Sequence, residues 1–481
     1  MANMKSLAKD TAIYGLSSIV GRFLNYWLVP LYTHYMPTES GDYGISTNLY
    51  AYTALILVVL TFGMETTLFR FANEEGEKPD TVFSTGFGMI ASLTAVFLIL
   101  VFGFITPIAD RLGYAGHHNY LLMMAAVVAM DALQALPFSY LRFQKRPIRF
   151  ATLKLLFIVF NIGLNVLYFV VLHKTSVFYV FALNLVCTSL IMLLFLPELF
   201  KIQWQFDGKL LKRMLSYSWP ILILGIAGIL NQVADKIMFP LAYPDKADAN
   251  VQLGIYGGCV KIAMIMAMIT QAFRYAYEPI VFAKAKDGDK NEYYAVAMKY
   301  FLIFTLLAFL CVMGYIDVLQ LILGRGYREG MAVVPIVMVA EIMMGVYFNL
   351  SFWYKLIDRT IYGAWFSLAG CAVLFLINYL FIPQYSYMAC AWGGVAGYGT
   401  AMVLSYIVGQ QKNPIPYPMK SIMVYVLLTA LIYAVMHFTS SWHLALRLVL
   451  NTLLILAFLA YIIHHDFPLR SLPYVGRFFR K

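Results

Sequence analysis

Fourteen apolar runs follow one another along this chain of 481 residues, at 11–33, 44–69, 82–107, 119–141, 151–172, 176–197, 215–241, 251–280, 295–320, 331–354, 361–382, 388–409, 419–438 and 443–463. Crossing a hydrocarbon layer about 30 Å thick takes roughly 20 residues of α-helix. Nothing in that layer can satisfy a bare backbone, so a run of this length has to be helical. Composition agrees, because 62% of the residues are hydrophobic and only 12% charged, too apolar for a soluble domain. No polar block long enough to fold separately lies between the runs. The first run is too long for a cleavable signal, carries Arg22, and is followed by no small-residue cleavage site. The expected fold class is an all-α integral membrane protein with 14 transmembrane helices.

The runs are organised as a duplication. Gly15 matches Gly228, an offset of 213, and at that offset Val20 matches Val233, Tyr43 Tyr256, Gly44 Gly257, Glu65 Glu278, Phe69 Phe282, Arg146 Arg359 and Asn165 Asn378. The pair Gly113-Tyr114 likewise matches Gly326-Tyr327. A period this long marks a duplicated bundle rather than a solenoid. Each copy holds an even number of runs, so both start from the same side, and a pseudo-two-fold axis along the membrane normal relates them. The expected organisation is a six-helix lobe over 1–200, a cytoplasmic linker over 201–213, a second six-helix lobe over 214–410, and a final helix pair with a basic tail over 411–481. A central cleft lies between the lobes. Three prolines in Pro414-Ile-Pro416-Tyr-Pro418 forbid helix just before the final pair.

Cations set the orientation. With the N-terminus cytoplasmic, the cytoplasmic segments hold 24 of the 35 Lys and Arg, and the opposite loops only Arg111, Lys174, Lys246, Arg325 and Arg328. That asymmetry places both termini in the cytoplasm, as expected of a multi-pass protein of a bacterial inner membrane. A basic rim facing anionic membrane lipids accounts for the net charge of +11 without nucleic acid as a partner.

Small motifs supply no chemistry. Cys187, Cys259, Cys311, Cys371 and Cys390 all sit in apolar runs without a C-x-x-C spacing and read as small buried hydrophobes. His117-His118 and His464-His465 are adjacent, and neighbouring helix positions point about 100° apart, a poor arrangement for one metal. Gly324-Arg-Gly326 follows a membrane helix, not a strand, so it is no phosphate loop. No catalytic residue, metal site or cofactor is expected, and the chain does not read as an enzyme.

Charges inside the spans carry the information. One near the bilayer centre costs about 3 kcal/mol on insertion scales, so it must face water or a partner. The cations are Arg22, Lys236, Lys261 and Arg274, and the acids Asp131, Asp235, Glu341 and the repeat pair Glu65 and Glu278. Two readings stay open: internal neutralisation, with Arg22 against Asp235 and Arg274 against Glu278 one turn on, or a cationic cleft that binds a phosphate or pyrophosphate. A buried Asp or Glu serves proton coupling, sodium coupling or a salt bridge equally well.

The residues Tyr14-Gly-Leu-Ser-Ser-Ile-Val-Gly-Arg22, Pro30-Leu-Tyr-Thr33 and Gly41-Asp-Tyr-Gly44 resemble the opening of Wzx-type polysaccharide flippases, which belong to the multidrug/oligosaccharidyl-lipid/polysaccharide (MOP) exporter superfamily. The second half agrees, in Leu323-Gly-Arg-Gly-Tyr-Arg-Glu-Gly330, Asp358-Arg-Thr360 and Ile377-Asn-Tyr-Leu-Phe-Ile-Pro383-Gln-Tyr385. Ser386 and Met388 stand where the family commonly has glycine. The resemblance implies a transporter that moves undecaprenyl-pyrophosphate-linked oligosaccharide from the cytoplasmic to the periplasmic leaflet, as in lipopolysaccharide O-antigen synthesis, alongside the polymerase that joins the units. It also implies a cationic cavity, onto which Arg22 and Arg274 carry over by helix and Arg70 loosely; Lys261 has no family counterpart. The alternatives are a lipid II flippase, a multidrug exporter of the same superfamily, and a membrane glycosyltransferase or polymerase. The last would need a large outer catalytic loop that this chain lacks.

Overall fold

The computed structural model describes residues 26–283, 290–357 and 359–466. Arg22 with residues 11–25 of the first run, Lys284, Lys286, Asp358, the basic tail 467–481 and the side chain of Glu278 lie outside the described residues. All regular structure among the described residues is helical. Thirteen helices there are long and apolar enough to cross a membrane. The protein is therefore an all-α multi-pass membrane protein. Of the first run, the structure describes the helix α1 (Leu28–Tyr35).

The chain forms two compact units, the first comprising 1–261, 324–330 and 367–397. In it lie α1, α2 (Asp42–Thr61), α3 (Met64–Phe71), α4 (Pro79–Gly103), α5 (His118–Phe143), α6 (Pro147–Val166), α7 (Val177–Leu199), α8 (Gly208–Ala242) and the start of α9 (Ala249–Ala283). Helix starts follow local chemistry. Pro79 and Pro147 open α4 and α6 where a missing N–H costs nothing, and the Ser176 hydroxyl accepts from the Phe178 amide at 3.2 Å to cap α7. The Asp207 carboxylate accepts from the amides of Lys209 and Leu210 at 2.8 and 3.2 Å. That cap starts α8 inside the basic segment, so residues 208–213, expected as linker, are helical and α8 runs for 35 residues.

One expected run, 44–69, is broken. Phe62 and Gly63 both have left-handed backbone, φ 50° and 69°, and they separate α2 from α3. A Cβ on Gly63 would also press on Ile221 at 3.0 Å, so the residue that allows the bend also lets α8 approach. Leu68, Phe83, Val128, Leu136, Leu210 and Met214 then form a buried core among α3, α4, α5 and α8. Glycines bring α2 and α9 into backbone contact: a Cβ on Gly44 would lie 1.7 Å from the Asn250 carbonyl oxygen, and one on Gly257 2.8 Å from Thr47 Oγ1. Gly44 and Gly257 are repeat-related, and each supplies the small residue that membrane helices use for close packing.

The second unit comprises 262–323, 331–366 and 398–481. Its helices are the rest of α9, then α10 (Lys290–Gly314), α11 (Val333–Leu350), parts of α12 (Ile361–Tyr385) and α13 (Tyr387–Lys412), then α14 (Met419–Phe438) and α15 (Leu444–His465). Residues 413–418 are non-helical, as three prolines require. Buried Trp353 centres an aromatic core with Tyr277, Tyr294, Tyr347 and Phe366, and its indole donates to Ser405 Oγ at 3.2 Å. Polar ties dock the last helix pair: Lys299 pairs with Asp466, which also accepts from the Tyr425 hydroxyl, and Asn451 Nδ2 donates to the Gly314 carbonyl at 2.8 Å.

Candidate functional site

Among the described residues of the first unit, α8 and α9 build a group of membrane-embedded charges that holds more cations than acids. Asp235 and Lys236 lie seven and six residues before the end of α8, and Tyr256 and Lys261 seven and twelve residues into α9. At about 1.5 Å per residue, all four stand roughly 9–18 Å inside their helices, at membrane depth. Lys236 folds back on its neighbour, donating to both Asp235 oxygens at 2.9 and 2.8 Å and to the Gln232 carbonyl at 3.2 Å. The Tyr256 hydroxyl donates to Asp235 Oδ2 at 2.7 Å. A polar chain fixes the backbone beneath: Tyr114 donates to Asn48 Oδ1 at 2.8 Å, and Asn48 Nδ2 to the Lys236 carbonyl at 2.7 Å. The buried Tyr114 hydroxyl, in the loop before α5, is held above its ordinary range by desolvation, which keeps it a donor.

Lys261 is partly buried, it feels the like charge of Lys236, and among the described residues it has no acidic partner or hydrogen bond. The group thus holds two cations against one carboxylate. Asp235, weighed above as a partner for Arg22, has Lys236 and Tyr256 as its partners among the described residues, while Arg22 itself lies outside them. An uncompensated ammonium at this depth is stabilised by an anionic ligand.

A second polar group, in the same unit, runs the other way. Lys154, on α6, lies 3.9 Å from the centroid of the Phe138 ring and interacts with both Asp131 and Glu65. Glu65 also accepts from Ser139 at 3.0 Å. Two acids share one cation. Asp131 and Glu65 therefore belong to one network, and Lys154, the fourth residue of the run 151–172, completes it.

Arg70, Arg274 and Glu341 each have neighbours of their own. The Arg70 guanidinium stacks 4.2 Å above the Tyr217 ring, 19 residues and hence about 28 Å along α8 from Lys236. Arg274, in the second unit, lies over the Phe348 ring at 4.3 Å. Glu341 is partly buried in α11 and engaged by neighbouring groups. The repeat pair of asparagines behaves unequally. Asn165 accepts from the Tyr32 hydroxyl at 2.9 Å and donates to Asn161, whereas buried Asn378 has neither amide atom paired among the described residues.

Three comparisons bear on this architecture. A family model described as "Polysaccharide biosynthesis protein" matches residues 7–281. The lipid II flippase MurJ in an inward closed conformation superposes with a TM-score of 0.75 at 14% identity, covering 94% of this chain and 98% of that one. An inward-facing multidrug resistance MATE family transporter of the MOP superfamily gives 0.66 at 12% identity, covering 81% and 94%. An outward-facing one gives 0.58 at 13%, covering 84% and 95%. At these identities the structures show a shared fold. No curated protein sequence matches the chain significantly.

Proposed function

The chain belongs to the polysaccharide biosynthesis protein family and has the fold of MOP-superfamily transporters, and from that premise we propose that it moves polyprenyl-pyrophosphate-linked oligosaccharide from the cytoplasmic to the periplasmic leaflet. The observation that carries the reading is the unbalanced charge at Lys236, Lys261 and Asp235. A multidrug exporter handling cationic compounds gains nothing from it, whereas a pyrophosphate is attracted, and charge-assisted bonds offset its dehydration. Lys261 is the principal phosphate ligand in this reading, with Arg22 and Arg274 as further cations and Asp235 holding Lys236 in place. Asp131 and Glu65, tied to Lys154, are the acids best placed to take up a coupling proton. The duplicated sequence supports exchange between inward and outward states by rocking of the two lobes, and the cation asymmetry supports cytoplasmic termini in an inner membrane.

Deleting the gene from its own host tests this. The deletion strain should accumulate lipid-linked oligosaccharide accessible only from the cytoplasmic face and lose surface polysaccharide, and wild-type protein should restore both. Unchanged surface polysaccharide would overturn the reading. The second reading, lipid II as cargo, is favoured by the likeness to MurJ over nearly the full length of both chains. It predicts instead that the protein supports growth of a strain depleted of its own lipid II flippase.

A further inference from the structure

A cavity of about 730 Å³ opens in the first unit where the C-terminal turn of α3 faces the first turns of α8, and its volume falls within the roughly 300–1,000 Å³ typical of small-ligand sites. Its charge is lopsided. Arg70, Lys209, Lys212 and Arg213 line it, and Glu74 is its one acidic lining residue. Arg213 is already engaged, forked between Glu74 and Glu77, with the latter contact at 2.7 Å. The nearby Asp207 carboxylate is taken by the amides that start α8. Arg70, Lys209 and Lys212 have no ion pair among the described residues. Arg70 is nonetheless held: its guanidinium carbon lies over the Tyr217 ring, 4.2 Å from the centroid, a cation–π contact that restrains the side chain at the cavity wall. A planar guanidinium fork suits two oxygens of a phosphoryl group better than a freely rotating ammonium does, and the two lysines add charge from the facing helix.

The helix geometry gives the site a place in transport. Tyr217 stands nine residues into α8 and Lys236 nineteen residues further, so about 28 Å of helix, close to the thickness of the hydrocarbon layer, separates this cavity from the Lys236–Lys261 group. Two cationic stations thus stand near opposite ends of one helix. We propose that the cavity is a phosphoryl-binding site at which the pyrophosphate of a lipid-linked substrate, or the phosphate headgroup of an anionic membrane lipid, first docks before reaching Lys261. The inference rests on the proposed function for its place in transport but not for the binding itself.

The test uses the full chain in nanodiscs of neutral phosphatidylcholine, with inorganic pyrophosphate as the probe, titrated by calorimetry at low salt. Saturable binding is expected, and Arg70→Ala and the double variant Lys209→Ala/Lys212→Ala should each weaken it by 10-fold or more. Lys174→Ala, removing an exposed lysine outside the cavity, should leave it unchanged. Arg70→Lys should lie between, because it keeps the charge and loses the fork. Repeating the titration in discs containing phosphatidylglycerol separates the two sources: a weakened apparent affinity identifies bilayer headgroups as occupants, and an unchanged one assigns the site to the substrate's pyrophosphate. Absence of saturable binding, or binding equally sensitive to Lys174→Ala, overturns the proposal. Pyrophosphate binding lost in Arg70→Ala together with no translocation by the wild type would leave this site standing and sink the flippase reading. Translocation without any binding at the cavity would do the reverse.

Discussion

Replacing Lys261 with methionine should move stability and transport in opposite directions. Met is close to Lys in length and carries no charge, so the change removes an ammonium that has no acidic partner among the described residues. A lysine at the centre of a membrane helix costs about 2.5–3.5 kcal/mol on insertion scales. Lys261 is only partly buried, so the relief should be roughly 1–3 kcal/mol in favour of Lys261→Met. A charge-assisted bond to a phosphate contributes about 1.5–3 kcal/mol, and each 1.4 kcal/mol is about tenfold, so substrate capture should fall by roughly 10- to 150-fold. Lys236→Met supplies the contrast. It strands Asp235 with Tyr256 as its remaining partner among the described residues, in a pair whose side chains are only 20% and 12% exposed. Breaking such a pair destabilises by about 3–5 kcal/mol when fully buried, so a loss of roughly 2–4 kcal/mol is expected here. Unfolding midpoints in detergent and initial translocation rates in proteoliposomes read both quantities. If Lys261→Met lowers the unfolding midpoint, Lys261 has a structural partner and the charge count is wrong. If it transports like the wild type, the phosphate assignment is wrong.

Three further changes probe the scaffold. Ser386 sits at φ 52° in the left-handed region, which costs a side-chain-bearing residue about 1–2 kcal/mol, so Ser386→Gly should raise the unfolding free energy by about 1 kcal/mol; a drop would mean that its side chain has a stabilising role. Gly44→Ala would set a Cβ 1.7 Å from the Asn250 oxygen with only backbone around it, so it should destabilise by at least ~2 kcal/mol, while Gly116→Ala, with nothing within 4 Å, stays neutral. Lys154→Met should destabilise by leaving Asp131 and Glu65 to repel one another, and adding Asp131→Asn should recover most of the loss; purely additive effects would show that the pair is not coupled.

Much of this architecture is legible in the residues, and the exceptions have physical causes. Apolar runs mark the spans because the bilayer demands them, yet α8 outruns its apolar stretch, since helix formation needs only a cap, and Asp207 supplies it. The break at Phe62–Gly63 is hidden inside a continuous apolar run because a phenylalanine in the left-handed region leaves no trace in hydropathy. The repeat signals that Gly44 and Gly257 matter, and both turn out to be points of close helix approach. Ser386 is a departure visible in the sequence, and the turn there keeps the left-handed backbone that a glycine would favour. Charges inside spans identify Asp235 and Lys261, but not how they pair: Lys236 folds back onto the residue beside it, a contact that helix periodicity alone disfavours. Lys154 stands so near the start of its run that a lysine there is expected to snorkel towards the headgroups; only the packing of α5, α6 and α3 brings it to Phe138, Asp131 and Glu65.

The central claim is that this protein translocates a pyrophosphate-linked glycolipid. Its most direct test is reconstitution of the purified chain into liposomes that carry a fluorescent polyprenyl-pyrophosphate oligosaccharide in one leaflet, followed by timed access of a membrane-impermeant quencher. Wild-type protein should move the lipid to the opposite leaflet, and it should fail to move the same polyprenol bearing the oligosaccharide through a neutral linkage. Equal rates for both lipids, or no movement of either while a cationic dye is expelled, would contradict the account.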